Sequence, residues 1–550
     1  MSPAPTPQRD RTPSPQEPAA GSAAPPAAGA ARARSTGWAA TAAAWVPPAV
    51  AAVAMLVLGW WGIARGNSMG NDEVATRWAA LLPLHALVHL LRNVDAVHGL
   101  YYLLMHGWVA LGSTPVTIRI PSVIAMAVAA ALLVIIGRRL TGSGWAGLFA
   151  GLIMVTTPSI SFYAQTARSY AMVFACVLAA TLALLYALAA EAAGECDRRR
   201  WVVYAGLVTL GGYLNEMSLL VLAAHAVTVW LTRYGRPVFE RWLAAAAVGA
   251  ALVLPLVLLS IKEHAALGWV SPPGLSDIRI LVQDYFGVET VGAALLIICA
   301  VVALLPPAGT WRRAGAAAGA GTEPEPAWWR SGGVTLPSVA LPLLVLPAAI
   351  LMIESVLLRP LYVDRYVLYG EAGAALLAGA GIYRIGRWLH EASGRRVPVW
   401  TPGVVLCLGV LVLQLAPLQH VHTPQSRRYD YGGPSRYVGA HARPGDGIIF
   451  FGKFYRKAEL GYPADFRNTI DFTQALSPLQ VGNFQGRDKP VAETERLMPG
   501  YRRIWVFGAR PSRYRPEAEL RAESIQLLRD FTLIRIRRFH GIVVTLWQRR

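Results

Sequence analysis

Charged side chains are scarce in this 550-residue sequence: they make up 15% of it, whereas 54% of the residues are hydrophobic. Soluble globular domains carry about a quarter charged residues, so this balance is atypical of a soluble protein and predicts repeated membrane insertion. The net charge is +19. In a chain of this composition we interpret the basic excess as membrane orientation or contact with anionic lipid, and we predict no nucleic-acid partner.

Cysteine is also scarce. The four cysteines, Cys176, Cys196, Cys299 and Cys407, lie in or beside apolar runs and show no metal-like spacing. The sequence therefore supports neither a disulfide framework nor a zinc site.

Large apolar side chains are almost absent from residues 1–42, which are rich in Pro, Ala and Ser. Such a segment cannot bury enough surface to offset its ordering entropy, so we predict a disordered cytoplasmic tail. The apolar run that follows, 44–64, is longer than the core of a cleaved signal peptide, and its charges are not close to the chain start. We interpret it as an uncleaved first anchor.

Long apolar runs, in contrast, are abundant, and about eleven have membrane length. They predict an α-helical polytopic membrane domain over residues 43–418. The fifth and sixth runs are short and could form one broken hairpin. The runs lie near residues 44–64, 117–137, 144–162, 169–190, 201–214, 217–232, 242–261, 289–306, 336–357, 365–384 and 402–418.

Arginine is concentrated in every second connection between these runs, and the alternating connections carry few basic residues. Basic loops stay in the cytoplasm, so this pattern predicts a multi-pass plasma-membrane protein with a cytoplasmic N-terminus. An odd number of spans then places the C-terminus outside. The Arg-rich connections are residues 137–140, 196–201, 232–242, 311–315 and 383–396.

This orientation makes residues 65–116 an extracytoplasmic loop. It contains "GNSMGNDEVATRW", with the adjacent acids Asp72 and Glu73, and then two amphipathic stretches typical of interfacial helices. Acids at a helix N-terminus accept backbone N–H bonds and stabilise the helix by about 1 kcal/mol. Capping and catalysis are therefore both open for these two carboxylates.

Other polar residues are predicted at the same outer face. An arginine near hydrocarbon is costly and usually faces a cavity or a partner. Single arginines at helix ends commonly snorkel to the interface, but several together favour a polar site at the outer leaflet. The set comprises His98, Gln165, Arg168, Tyr170, Asn215, Glu216, Asp364, Arg365 and Tyr366.

These residues carry a resemblance. The chain has "DE" after the first span, then "HGLYY" where relatives have an H-P-P-L-Y-Y-like segment, then "QTARSY" and later "DRY". It resembles the GT-C superfamily of polyprenyl-phosphate-dependent glycosyltransferases. Within it, the chain is most similar to protein O-mannosyltransferases, aminoarabinose transferases and rhizobial lipopolysaccharide glycosyltransferases. The similarity covers residues 45–260 and, more loosely, 336–385.

The resemblance implies an integral membrane enzyme that moves a sugar, mannose or another hexose, from a polyprenyl-phosphate donor to an envelope glycan, lipid or protein. It implies Asp72 as the general base of an inverting displacement, with Glu73 as a supporting or alternative acid. The leaving phosphate needs cations, which implies Arg168 and Arg365, with His98 as a further candidate. The implied substrate pocket comprises Tyr101, Tyr102, Gln165, Tyr170 and Tyr366.

The resemblance also allows a divalent metal ion held by Asp72, Glu73 or His98, although no ligand spacing in the sequence demands one. No phosphate-cradling Gly-rich loop is present. This absence agrees with a lipid-linked rather than a nucleotide-sugar donor.

Residues 419–550 have a different pattern. "GDGIIFFGKF", "RRIWVFGAR", "FTLIRIRRF" and "GIVVTLWQR" predict strands, and "PEAELRAESIQLLRDF" predicts a helix. We expect a small extracytoplasmic α/β domain with a basic surface that contacts anionic lipid, an anionic glycan, or nothing specific. Residues 315–326 are predicted to be a flexible cytoplasmic loop.

Two other classes stay open. A transporter or lipid flippase would also have many spans, but it would place its charges nearer mid-membrane and show repeated halves. A non-catalytic relative would keep the spans and tolerate the loss of Asp72.

Overall fold

The computed structural model describes residues 28–65, 68–262, 270–305, 333–427, 429–452, 454–508 and 526–550. The chain divides into two compact units, Met1–Val46 and Pro47–Arg550. Every site considered below lies in the second unit.

All regular structure among the described residues up to Val421 is helical. Each of the eleven apolar runs predicted from the sequence overlaps one or two of these helices. The helices are α1 (Ala28–Trp60), α2 (Asn71–Leu81), α3 (Leu84–Leu91), α4 (Gly99–Trp108), α5 (Pro115–Thr141), α6 (Gly144–Thr156), α7 (Pro158–Ala164), α8 (Tyr170–Ala192), α9 (Arg198–Leu214), α10 (Val221–Thr232), α11 (Arg236–Lys262), α12 (Leu275–Phe286), α13 (Thr290–Leu304), α14 (Leu336–Leu357), α15 (Glu371–Ala392) and α16 (Trp400–Val421).

Six described helices are long and apolar enough to cross a membrane: α5, α8, α11, α14, α16 and the Ala43–Trp60 part of α1. Two further pairs, α6 with α7 and α12 with α13, bend by 71° and 75° and bring the number to eight if each pair is one span. The predicted number of eleven is higher by three. The helices α9 and α10, with 17 and 12 residues, are short for a crossing, and α15 carries Glu371, Arg384, Arg387 and Glu391 among its 22 residues. Eleven crossings therefore stay a prediction.

Residues 28–42 were predicted to belong to a disordered tail, but the backbone of α1 is helical from Ala28. The segment is rich in alanine, the strongest helix former, and this propensity accounts for the difference. The rest of the predicted tail, 1–27, and the predicted loop 315–326 lie outside the described residues.

Small residues let the central helices pack closely. A Cβ added to Gly147 of α6 would lie 2.4 Å from the carbonyl oxygen of Val134 in α5, and one added to Gly379 of α15 would lie 2.3 Å from the Ala150 nitrogen in α6. Close backbone approach through small residues is how membrane helices gain packing energy without a hydrophobic driving force. The loop that carries Asp72 is therefore anchored to a tightly packed bundle.

The C-terminal region is a mixed sheet with short helices, as predicted. Its five-stranded sheet has the order β2-β1-β5-β7-β6, with β1 parallel to β2 and β5, and β7 antiparallel to β5 and β6. The strands are β1 (Asp446–Phe451), β2 (Thr469–Asp471), β3 (Gln474–Leu476), β4 (Arg487–Asp488), β5 (Arg503–Gly508), β6 (Phe531–Arg538) and β7 (Val543–Arg549), and the helices are α17 (Gly432–His441), α18 (Lys457–Gly461), α19 (Pro463–Phe466), α20 (Pro478–Val481) and α21 (Val491–Leu497).

All four predicted strands are present, as β1, β5, β6 and β7. The central strands β1 and β5 are buried along most of their length. The edge strand β6 is exposed beyond its first residue and carries three arginines, which discourage pairing with another chain. Of the predicted helix over 516–531, residues 526–531 fall within the described part of the chain: 526–530 are helical, and Phe531 already begins β6.

Candidate active site

The first turn of α2 carries the two adjacent acids that the sequence singles out. The backbone N–H of Gly70 donates to Oε2 of Glu73 at 3.0 Å, so Glu73 caps the helix. Adjacent helical residues point about 100° apart, so Asp72 and Glu73 enter different surroundings. Capping thus belongs to Glu73 and leaves the Asp72 carboxylate available.

Glu73 lies in a sealed ion cluster with two arginines. Its carboxylate receives Arg119 Nε at 2.7 Å and Arg427 Nη1 at 2.9 Å, and both Glu73 and Arg119 are fully buried. Arg119 also donates to the carbonyl oxygens of Ile63 and Ser68. Burial alone would raise the pKa of Glu73, but Arg119 and Arg427 outweigh it and lower the pKa to about 2.

Gln165, predicted to line the substrate pocket, lies in the same buried region. Its amide Nε2 donates to the carbonyl oxygens of Gly59 at 2.8 Å and Trp61 at 2.7 Å. Its Oε1 accepts from Arg65 Nε and lies 3.0 Å from His422 Nδ1. Gln165 therefore links the end of α1 to the segment that follows α16, and its side chain bonds within this buried region.

Asp72 occupies a second, more open cluster. It is half-buried, and its side chain forms no ion pair with any described residue. Burial alone would raise its pKa, but the charges of Arg168, Arg365 and Lys457 hold the pKa of Asp72 below its ordinary value. A carboxylate surrounded by cations and ionised at neutral pH can accept a proton.

Arg168 is held in this cluster by Asp95, a residue that the sequence analysis missed. Arg168 Nη2 lies 3.0 Å from Asp95 Oδ2, and Nη1 donates to the Tyr102 hydroxyl. The Tyr102 hydroxyl in turn donates to Asp95 Oδ2 at 2.7 Å. Asp95 has φ of 60°, a left-handed conformation that aspartate tolerates better than most residues. The sequence signal that could have identified Asp95 is an acid three residues before His98.

Arg365 is held by aromatic residues. Its Nε donates to the Tyr170 hydroxyl at 2.9 Å, and its guanidinium carbon lies 5.8 Å and 5.6 Å from the ring centroids of Tyr170 and Tyr366. Tyr170 of "QTARSY" and Arg365 of "DRY", both predicted for the outer-face site, thus lie in contact. Aromatic faces stabilise a guanidinium without neutralising its charge.

His98 and Tyr101 are buried residues of the Asp72 cluster. His98 Nδ1 lies 3.2 Å from Ser169 Oγ, and its ring packs against Tyr102 and Tyr170 at centroid distances of 6.0 and 6.3 Å. Burial, together with Arg168, lowers the pKa of His98 to about 3, so its imidazole is neutral. A neutral imidazole contacts a phosphate through a hydrogen bond rather than as a cation. Tyr101 is fully buried beside Tyr102.

Lys457 of α18 is the second site residue that the sequence analysis missed. It comes from the C-terminal domain and is 6% exposed. Its charge acts on both Asp72 and Asp95. No local pattern could have marked it, because the contact joins α2 to a segment nearly four hundred residues away.

The residues of the two clusters do not fit a bound divalent ion. Both oxygens of Glu73 are engaged by arginine, and His98 is directed at Ser169. Among the described residues, no three histidine, cysteine, aspartate or glutamate side chains gather closely enough to hold a metal. We therefore derive no step through a metal ion.

No protein-family model matches the chain, and no curated protein matches its sequence. Solved structures do match. ArnT from Cupriavidus metallidurans in the apo state gives a TM-score of 0.54 at 13% identity, over 93% of this chain and 98% of that chain. The same protein bound to undecaprenyl phosphate gives 0.53 at 13% identity, with the same coverage. AglB from Archaeoglobus fulgidus, in complex with an inhibitory peptide and a dolichol-phosphate, gives a TM-score of 0.44 at 12% identity. That match covers 85% of this chain and 70% of the AglB chain.

The match to ArnT extends over nearly the full length of both chains, so it includes the helical bundle and the C-terminal sheet region. Its low sequence identity restricts what it shows to the fold. This chain thus has the polytopic helical fold with a C-terminal sheet region that the sequence predicts, and it shares this fold with ArnT.

Proposed function

We propose that this protein is a membrane glycosyltransferase that moves a sugar from a polyprenyl-phosphate carrier to an acceptor on the outer face of the plasma membrane. ArnT, which has the same fold, has been solved with undecaprenyl phosphate bound. We further propose mannose or another hexose as the sugar, and an envelope glycan, lipid or protein as the acceptor.

The observation that carries this proposal is the environment of Asp72. Its neighbour Glu73 caps α2 and is neutralised by two arginines, whereas Asp72 is half-buried, has no ion pair among the described residues, and faces cations that are themselves fixed in place. A structural role would leave Asp72 paired or fully exposed. An ionised acid beside anchored cations is instead what transfer of a sugar from a phosphate to an acceptor hydroxyl requires: the acid takes the hydroxyl proton, and the cations stabilise the leaving phosphate.

In the proposed reaction, the acceptor oxygen attacks the anomeric carbon and Asp72 takes the hydroxyl proton. The bond between the anomeric carbon and the phosphate oxygen breaks, and its electron pair stays with the phosphate. The products are a glycoside, a polyprenyl phosphate and protonated Asp72, which loses its proton to solvent. Direct displacement inverts the anomeric centre.

Arg168 and Arg365 are the proposed partners of the leaving phosphate. Both are pre-positioned: Arg168 by Asp95 and Tyr102, and Arg365 by Tyr170 and Tyr366. Cations fixed before the reaction stabilise developing charge without reorganisation during it. Asp95 is already bonded to Arg168 and Tyr102, which makes it a positioning residue rather than a nucleophile.

The proposed side of the membrane follows from the arginine-rich connections, which favour a cytoplasmic N-terminus. With an odd number of crossings, the loop of Asp72 and the C-terminal domain are extracytoplasmic. The polyprenyl chain then stays in the bilayer while the sugar lies at the outer headgroup level, beside α2.

The test is sugar transfer by membranes that contain the full-length protein, with labelled polyprenyl-phosphate mannose, a panel of other polyprenyl-phosphate hexoses, and an envelope extract as acceptor. The key variant is Asp72→Asn. The matched control is Asp277→Asn, because Asp277 is a first-turn acid that caps α12 by accepting from the Gly274 N–H at 2.8 Å. We expect Asp72→Asn to lose about 10²- to 10⁴-fold in rate, and the control to keep wild-type transfer.

Equal losses in both variants would assign Asp72 to helix capping and overturn the proposed mechanism. Wild-type membranes that transfer no sugar from any donor, but move lipid between leaflets, would replace the enzyme with a flippase. If the wild-type membranes show neither sugar transfer nor lipid movement, the result would favour a non-catalytic relative.

A further inference from the structure

The C-terminal domain packs directly on the helix that carries Asp72. Arg77 of α2 donates to the carbonyl oxygen of Gly461 at 3.2 Å, and the Met69 N–H donates to the Tyr462 hydroxyl at 2.7 Å. A Cβ added to Gly461 would lie 2.8 Å from Val74 Cγ2, so a larger residue would force the Val74 side chain or the backbone of α18 to shift. The segment that follows Lys457 is therefore fixed against the site.

Lys457 begins that segment and points its ammonium into a largely apolar environment. Nζ lies 4.8 Å from the Phe484 ring centroid and 5.9 Å from that of Phe454. No described carboxylate lies within ion-pair distance, although Asp95 and Asp72 act on it from farther away. Burying an ammonium without a direct anionic partner is costly, so this arrangement indicates an anion that is supplied from outside the chain.

The charge balance of the cluster supports this reading. Arg168, Arg365 and Lys457 contribute three cations, whereas Asp72 and Asp95 contribute two anions and His98 is neutral. The three cations face the open side of Asp72, so an anionic phosphodiester placed there would meet all three together.

We propose that Lys457 binds the phosphate of the polyprenyl-linked donor, so that the C-terminal domain completes the active site. This inference rests on the proposed function. Lys457 then has two roles: it binds the donor, and it couples the presence of the C-terminal domain over α2 to catalytic competence.

The site predicts a pH dependence. Burial lowers the pKa of Lys457 to about 8, while Asp95 and Asp72 oppose the lowering and Arg168 adds to it. The ammonium that binds phosphate is thus lost as pH rises through about 8. Donor affinity should fall between pH 7 and pH 9.5 in the wild type and stay flat in Lys457→Arg, because arginine stays charged throughout this range.

The experiment measures binding of undecaprenyl phosphate to the full-length protein in detergent, with the variants Lys457→Met and Lys457→Arg. Lys489→Met is the matched control, since Lys489 lies in the same domain and faces Glu493 at 3.9 Å. We expect Lys457→Met to raise the Kd about 10- to 100-fold, Lys457→Arg to raise it less than about 5-fold, and the control to leave it unchanged. Thermal unfolding of each variant identifies those that are folded.

A second measurement uses only the wild type. Undecaprenyl phosphate should slow acylation of Lys457 by an amine-reactive reagent at pH 8 without changing the labelling of Lys489. Inorganic phosphate and vesicles of phosphatidylglycerol serve as parallel arms. If either protects Lys457 as well as undecaprenyl phosphate does, the site takes a free phosphate or a bulk lipid headgroup, and our proposal is overturned.

Failure of this inference can be distinguished from failure of the proposed function. Unchanged affinity in Lys457→Met, together with weakened affinity in Arg168→Met, would overturn the role of Lys457 alone. If the wild type binds no polyprenyl phosphate at all, both proposals fall.

Discussion

Asp72 and Glu73 are neighbours in the chain, but the fold gives them opposite surroundings. Glu73 is fully buried, caps α2 and bonds two arginines from α5 and the segment after α16. Asp72 is half-buried and faces Arg168, Arg365 and Lys457; it accepts a 3.4 Å hydrogen bond from Asn71 but forms no ion pair with a described residue. A carboxylate whose charge is fully compensated holds a structure together, whereas one that is only partly compensated is available for chemistry.

The cations of the two regions differ in the same way. Arg119 donates to Glu73 and to two carbonyl oxygens, so most of its N–H donors already have acceptors within the protein. Arg168 and Arg365 are instead fixed by tyrosines and Asp95 beside an open acid. We infer that the Glu73 cluster fixes the outer loop and the Asp72 cluster performs the reaction. The following predictions test that division.

The largest effect is expected for Glu73→Gln. This change leaves two buried arginines without their counter-ion, which costs about 3–5 kcal/mol of the free energy of unfolding. Thermal unfolding in detergent should show a large loss, or no folded protein. The control is Glu240→Gln, which removes an exposed ion pair with Arg236 and should cost less than about 1 kcal/mol. If Glu73→Gln is as stable as this control, the structural assignment of Glu73 is wrong.

Acid should reproduce part of that loss in the wild type. The pKa of Glu73 is about 2 in the folded protein, below the ordinary value of 4.5. The stabilisation is therefore present above pH 4.5 and is lost as pH falls toward 2. Unfolding free energy followed from pH 6 to 3 should drop more steeply in the wild type than in any folded Glu73→Gln protein. Parallel curves would contradict the ion pairing.

Asp95→Asn should have an intermediate effect, on catalysis. It weakens a charge-assisted contact that orients Arg168, and such contacts contribute about 1.5–3 kcal/mol. We expect transfer to fall about 10- to 100-fold, with a smaller loss of stability than in Glu73→Gln. If Asp95→Asn binds the donor as tightly as the wild type but has a lower kcat at saturating donor, Asp95 takes part in the chemical step. That result would contradict its assignment as a positioning residue.

The smallest effect is expected for Tyr170→Phe. It removes one hydroxyl that accepts from Arg365 but keeps the aromatic face, and a single hydrogen bond contributes about 0.5–1.5 kcal/mol. Steady-state kinetics should show a decrease of about 2- to 10-fold in kcat/KM. A larger loss would mean that the hydroxyl itself contacts the substrate.

Much of this arrangement could be predicted from the sequence. Apolar runs located the membrane helices, alternating runs located β1, β5, β6 and β7, and the motif residues located Asp72, Arg168, Tyr170 and Arg365. These signals are local, because hydrophobic periodicity and short motifs are properties of neighbouring residues. The number of crossings was less accessible, since length and composition alone do not fix how a broken or short helix inserts.

The sequence by itself thus determined that this chain is a multi-pass helical membrane protein with two adjacent acids after its first apolar helix and with a C-terminal sheet region. Only the tertiary structure decided which of two adjacent acids is sealed and which is open. Only it brought in Asp95, Lys457 and Arg427, and moved Gln165 from the expected pocket to the structural cluster. The physical reason is that the ionisation and availability of a carboxylate depend on charges and burial supplied by residues far away in the chain.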